Sequence, residues 1–208
     1  MAARARCPIV AGVSAELDRN TQFERLTTWA RVGFAALCCE RLLPAYAGFA
    51  QATGWGDIGV LGQALDRVWT AIISGQVISG EEARVLVERC LQQVPYLDDP
   101  FDTDLAAPAQ NAAIAVLETV ECAHDGDPRR AEGIGELSLD AFKAYVDLRW
   151  GQGPVYDAGF VESHVAVRRE RDDQQHDLVA VARLDQGGSG VQQLREHARR
   201  SGFTALLR

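Results

Sequence analysis

Residues Gln22–Asp57 read QFERLTTWARVGFAALCCERLLPAYAGFAQATGWGD, and this stretch decides the fold. With Phe23 set at zero and 100° per residue, Leu26, Ala30, Gly33, Phe34 and Leu37 fall on one face. Trp29, Val32, Ala36 and Leu43 extend the apolar surface well beyond a single stripe. A helix apolar on nearly all sides is one that other helices surround. Glu40 and Arg41 lie inside it, where charge is expensive. Neighbours on a helix diverge by about 100°, so these two do not face each other and each needs a partner from another element. Asp57, Asp66, Arg67 and Glu121 are the candidate partners.

The first helix is expected to run from about residue 15 to Leu43. Pro44 then predicts a kink or tight corner before a short helix ending near Ala52. Thr53-Gly54-Trp55-Gly56 reads as a turn. Asp57 caps a helix over about Ile58–Ser74. Ser79-Gly80-Glu81-Glu82 is a capping box, opening a helix that Pro95 ends. Asp104 begins another helix, closed by His124-Asp125-Gly126. Asp127-Pro128 reads as an N-cap with proline at the first helical position, and that helix ends near Trp150. The segment 162–184 is helical and charged, DQGGSG at 185–190 interrupts, and a last helix covers about 191–200. Phe203–Leu207 is an apolar tail expected to pack on the body. Strand alternation is missing throughout.

The expectation is therefore an all-α, single-domain multi-helix bundle of six to eight helices around a central buried helix. Residues 1–14 form a loose N-terminus, 15–208 the helical domain, and Gly151-Gln152-Gly153-Pro154 the candidate subdivision near 151–160. At 208 residues, a chain buries about 70% of its unfolded surface and needs no disulfide or metal to fold.

The formal net charge of −8 argues against a general nucleic-acid binder. Residues 1–160 carry 13 basic and 22 acidic side chains, whereas 161–208 carry 8 and 7. A weakly basic tail on an acidic body suits docking within the chain. The five cysteines offer no CxxC spacing, and adjacent Cys38 and Cys39 cannot bridge, so they read as small core residues of a reducing compartment. No signal peptide is evident and no 18-residue apolar run exists, so the reading is cytoplasmic with no membrane span.

The pattern carried by Phe23–Leu26, Trp29, Phe34–Ala35, Cys38, Glu40–Tyr46, Phe49, Thr53–Gly54 and Gly56–Asp57 resembles the bacterial YjaG-like family of unknown function. The helix Ala112–His124 also fits. The resemblance is strongest up to Asp57 and covers most of residues 22–184. It implies a small, cytoplasmic, all-helical protein and carries over no catalytic residue.

The candidate polar cluster is Glu40, Arg41, Asp57, Glu121 and His124. It is either a buried ion-pair network that fixes helix register or a pocket for a charged ligand. Glu121 and His124 form one ExxH, as in di-iron bundles, and Asp173-x-x-His176 is a partial second copy. A metal cluster of Glu121, His124, Asp173 and His176 with Glu40 is the less favoured reading, since half the pattern is non-standard. The simpler role for His124 is a helix C-terminal charge. Trp55 is either a contact anchor or a lid over the core. The aspartates 98, 99, 102 and 104 lack calcium-loop spacing, and DQGGSG lacks a phosphate-loop lysine. No cofactor is implied. The function expected is a non-catalytic interaction protein, immunity-like or homodimeric, with a protein partner and neither nucleic acid nor membrane. The alternative is a helical metal- or small-ligand-binding protein or enzyme using Glu40, Arg41, Glu121 and His124.

Overall fold

The computed structural model describes residues 22–96, 101–151, 159–183 and 189–207. Among these, nine helices and no strands occur: α1 (Thr28–Thr53), α2 (Ile58–Ser74), α3 (Gly80–Leu91), α4 (Ala106–Asp125), α5 (Pro128–Trp150), α6 (Gly159–Ser163), α7 (Val165–Val181), α8 (Ser189–Arg200) and α9 (Phe203–Leu206). Only α6 and α9 are shorter than seven residues, so the longer helices number what the sequence leads one to expect.

Helix α1 is the axle. It packs against α2, α4, α5, α7, α8 and α9, and most extensively against α4. Small side chains permit that approach: Ala35, Ala36, Cys38 and Cys39 on α1, and Ala109, Ala112, Ala113 and Ala115 on α4, are all fully buried. Cys39 Sγ lies 3.1 Å from Thr119 Oγ1 across this seam. By length and composition α1 is long and apolar enough to cross a membrane, although it holds no unbroken apolar run of that length. However, 78% of its most apolar window is buried inside the protein.

Two boundaries differ from the sequence reading. The N-cap of α1 is Thr27, whose hydroxyl accepts the Ala30 N–H at 3.2 Å. The helix then continues through Pro44 to Thr53, with no break at Leu43. Pro44 gives no N–H to the Glu40 carbonyl, which costs about 3 kcal/mol in an isolated helix. Here Ala45, Tyr46 and Phe49 beyond it are as fully buried as Leu42 before it, and packing on both sides overrides the local preference.

The other caps follow local rules. Asp57 Oδ1 accepts Gly59 N–H at 2.8 Å, Ser79 Oγ accepts Glu82 N–H at 3.2 Å, and Asp127 Oδ1 accepts Arg129 N–H at 2.9 Å. The Ser79 box is half used, because the Glu82 carboxylate accepts a fork from Arg67 instead of turning back. Helix α4 begins at Ala106 behind Leu105, later than Asp104 suggested. The charged segment is divided into α6 and α7 at His164, whose ring nitrogen caps α7 by accepting Ala166 N–H. The apolar tail docks as expected: Phe203 is fully buried against Phe142 and Tyr145, at centroid distances of 4.4 and 5.5 Å. The proposed subdivision and most of DQGGSG fall on 152–158 and 184–188, outside the described residues, as does the N-terminus with Cys7.

Candidate functional site: two buried charge networks on the central helix

Successive residues of α1 diverge, and Glu40 and Arg41 accordingly enter two different environments. Glu40 is turned toward α2 and α8 and is 3% exposed. Its Oε1 accepts Trp69 Nε1–H at 2.8 Å and Arg195 Nε–H at 2.5 Å, while Oε2 accepts Arg199 Nε–H at 2.8 Å. Arg195 also lies over the Trp69 ring, 5.4 Å from its centroid, and pairs with exposed Asp66. This network runs from the core to solvent. The bond to Glu40 raises the pKa of Arg199.

Arg41 points the other way, toward α5 and α7, and is 1% exposed. Its Nε and Nη2 fork onto Glu170 at 2.8 and 3.1 Å, and Nη1 donates to Asp177 at 2.5 Å. The Glu170 carboxylate also accepts from Ser138 Oγ at 2.8 Å and Gln174 Nε2 at 2.9 Å. Burial works against the Arg41 charge, but Glu170 and Asp177 outweigh it and push its pKa up. Burial raises the Asp177 carboxyl even with Arg41 beside it. Such a set is stable because every ion has several partners; removing one member strands the others.

Of the partners foreseen, Asp66 reaches Glu40 only indirectly, through Arg195 and Arg199, and Arg67 is taken by Glu82. The partners the sequence reading missed are Trp69, Glu170, Asp177, Arg195 and Arg199. A signal for them existed. Arg195 and Arg199 are four apart on one helix face, and Glu170 and Asp177 are seven apart on another. The more basic tail does dock within the chain, through Arg195 and Arg199 on Glu40.

The structure does not assemble the five-residue polar cluster. Asp57 is exposed at the N-terminus of α2, where its own N–H donates to Gln93 Oε1 at 2.8 Å. Glu121 is half-buried on α4. His124 is exposed, and its Nδ1 sits 3.0 Å from the Ile78 carbonyl, tying the start of α3 to the end of α4. Asp173 and exposed His176 lie on α7. Among the described residues no three His, Cys, Asp or Glu side chains are grouped to hold a metal ion, so the ExxH arrangement is not built. The reason is geometric: the Glu40 carboxylate is filled by three donors, and His124 is spent on a backbone carbonyl.

Trp55 is half-buried against Phe49 and Phe101, 5.9 Å from each, and covers one end of the core. The adjacent Gly56 has φ +84°, and a Cβ there would stand 2.3 Å from the Tyr46 hydroxyl. That hydroxyl donates to the Gln93 carbonyl at 2.9 Å. The Tyr46, Phe49, Gly54, Trp55, Gly56 and Asp57 pattern is thus a corner that fixes α1, α2 and the end of α3. The four described cysteines are free and buried. Burial pushes Cys39 and Cys122 up to about 12 and Cys90 to about 11, which disfavours their thiolates at neutral pH.

These features sit on a shared fold. The family described as protein of unknown function (DUF416) matches residues 18–206, and the chain belongs to that family. The uncharacterized protein YjaG of Escherichia coli K12 is 34% identical over 112 residues, 52% of this chain and 54% of that protein. YjaG of Salmonella typhimurium LT2 is 30% identical over the same shares. The chain thus spans about half the length of these curated relatives. The crystal structure of a DUF416 family protein from Shewanella baltica OS155 superposes with a TM-score of 0.74 at 22% identity. It covers 86% of this chain and 92% of that one, and it shares the all-α fold.

Proposed function

We propose that the protein is a non-catalytic interaction module of the cytoplasm, which docks a basic protein partner at the corner between α2 and α3. The observation that carries this reading is an exposed apolar group with an acidic rim. Ile73, Val77 and Val85 are 45%, 59% and 44% exposed around that corner. Beside them is a shallow depression of about 320 Å³ lined by Ser79, Glu81, Glu82, Val85 and Leu86. Exposed apolar groups rimmed by polar side chains are typical of protein contacts. The net charge of −8 steers a basic partner toward such a face. An immunity-like role, in which an acidic surface blocks a basic toxin, is one form of this function.

A second copy fits the face less well. A two-fold interface would set the Glu81 rim against itself, and like charges oppose that contact. The saturated Glu40 and Arg41 networks also favour binding over chemistry, since their polar atoms already have partners in the same chain.

The test compares the native protein with a Val77→Asp/Val85→Asp variant, both exposed substitutions, in pull-downs from the native cytoplasm. One basic protein retained at low salt, released by high salt and lost with the variant is the expected outcome. An identical capture by both proteins, or a native protein that forms a homodimer through this face, contradicts it.

A further inference from the structure

His164 stands between α6 and α7, and its ring is held by three elements. It stacks on Trp150 at the end of α5, with centroids 5.0 Å apart and planes 22° from parallel. Phe160 of α6 meets it edge-on at 5.7 Å. Its Nδ1 accepts Ala166 N–H at 3.2 Å and so caps α7, while its carbonyl accepts Arg168 N–H at 3.0 Å.

This cap differs from Ser, Thr, Asp or Asn in how it titrates. Nδ1 accepts a hydrogen bond only while the ring is neutral, with its proton on Nε2. A second proton turns Nδ1 into a donor facing the Ala166 donor. It also sets a positive charge at the N-terminus of α7, the positive end of the helix dipole. Stacking on Trp150 favours the imidazolium, but the cap and the dipole both oppose it. Burial opposes it too and lowers the pKa of this histidine. Of the charged groups on the elements around the ring, Glu162 of α6 pairs with Lys143 of α5 and Arg171 of α7, and Arg149 of α5 pairs with Asp104. Tyr145 and Asp147 of α5 and Arg168 of α7 are the other titratable or charged neighbours in the chain. Among the described residues none of these forms an ion pair with the His164 ring, and burial alone shifts it.

We propose that His164 is an acid-operated latch: its protonation uncaps α7 and releases the first turn, residues 165–169, from α5 and α6. That turn holds buried Ala166 and Val167, and Val165 and Ala166 form one wall of a crevice completed by Phe142 and Leu206. Release therefore exposes apolar surface. It stops at Glu170, which the Arg41 fork holds. The folded protein binds the His164 proton less readily than the unfolded chain, whose histidines titrate near about 6.5. The latch is thus fully closed above that value and opens as the pH falls through the lower value of the fold. It uses none of the α2–α3 docking surface and stands or falls independently of it.

NMR of the full chain at pH 7.5 and pH 5 tests the latch. Imidazole nitrogen shifts are expected to place the His164 proton on Nε2 at pH 7.5. Protection of the Arg168 and Arg169 amides against solvent exchange, each rate divided by its unfolded-chain value at the same pH, is expected to fall about fivefold at pH 5, the size of one lost cap. His164→Asn keeps a cap that does not titrate and is expected to hold native protection at both pH values. His164→Ala removes the cap and is expected to show the low protection at both. Circular dichroism selects variants that are folded. An Nδ1–H ring at pH 7.5, equal native protection at the two pH values, a fall at pH 5 that persists in His164→Asn, or native protection in folded His164→Ala overturns the proposal.

Discussion

Arg41 shows how a single residue can be costly and still indispensable. Its guanidinium is desolvated, yet Glu170 and Asp177 occupy three of its nitrogens. Lysine could not replace it, because a point charge cannot fork onto Glu170 while also reaching Asp177. Other carboxylates in the chain respond to their surroundings in opposite directions. The Arg129 side chain, with the Arg129 backbone N–H, holds the Asp127 carboxyl down at about 2. The native protein therefore takes up this proton less readily than the unfolded chain, whose aspartates titrate near about 3.9. The resulting stabilisation is complete above that value and is lost as the pH falls through about 2. Asp173 and Asp177, raised by burial, act in the other sense: their ionisation weighs against the fold, and protonation relieves it. An Asp127→Asn variant isolates the first effect. It is expected to melt below the native protein at pH 7, with a difference that narrows through pH 4 and closes near pH 2. Melting curves across that range provide the check, and a gap that is constant with pH would refute it.

At the scale of elements, what the sequence discloses is what is local. The caps at Asp57, Ser79 and Asp127, and Pro128 at the start of α5, were legible because each depends on residues within one turn. The end of α5 at Trp150 was legible too, because glycines follow it. The continuity of α1 through Pro44 was not, since it depends on tertiary packing, with Leu42 before the proline and Ala45, Tyr46 and Phe49 after it fully buried. The charged partners of Glu40 and Arg41 were hidden for a related reason: they lie 129 to 159 residues away. Besides the Arg195 and Arg199 pairs with Glu40, the C-terminal segment crosses α1 closely at Gly202. Gly202 has φ +59°, and a Cβ there would lie 2.6 Å from Arg41 Cβ and 2.8 Å from the Arg41 carbonyl oxygen. A Gly202→Ala variant is thus both conformationally strained and blocked by backbone. It is expected to lift α8 and α9 from α1, giving amide exchange across 190–207 at least tenfold faster than native, if about 1.4 kcal/mol of docking is lost. Exchange unchanged there, measured by mass spectrometry, would mean the contact is not a fastening.

For the whole molecule, the all-α class and the central helix were legible because an all-round apolar helix has few other places to go. The candidate cluster was only half legible. The sequence identified Glu40 and Arg41 as buried charges in need of partners, and α7 and α8 supply them. It also suggested joining them to Glu121 and His124, which α4 uses in other ways. The family pattern from Phe23 to Asp57 accordingly describes an axle and a corner: two opposed charge networks, then the Tyr46–Gly56–Asp57 turn. The central claim is that the Arg41 network serves the fold. Denaturant unfolding of Arg41→Met and of Arg41→Met/Glu170→Met/Asp177→Leu tests it most directly. The single change strands two buried carboxylates and is predicted to cost about 3–5 kcal/mol, whereas the triple change removes every charge and is predicted to return stability to the native level or above it. A single variant as stable as the native protein, or a triple variant no better than the single, would contradict the account.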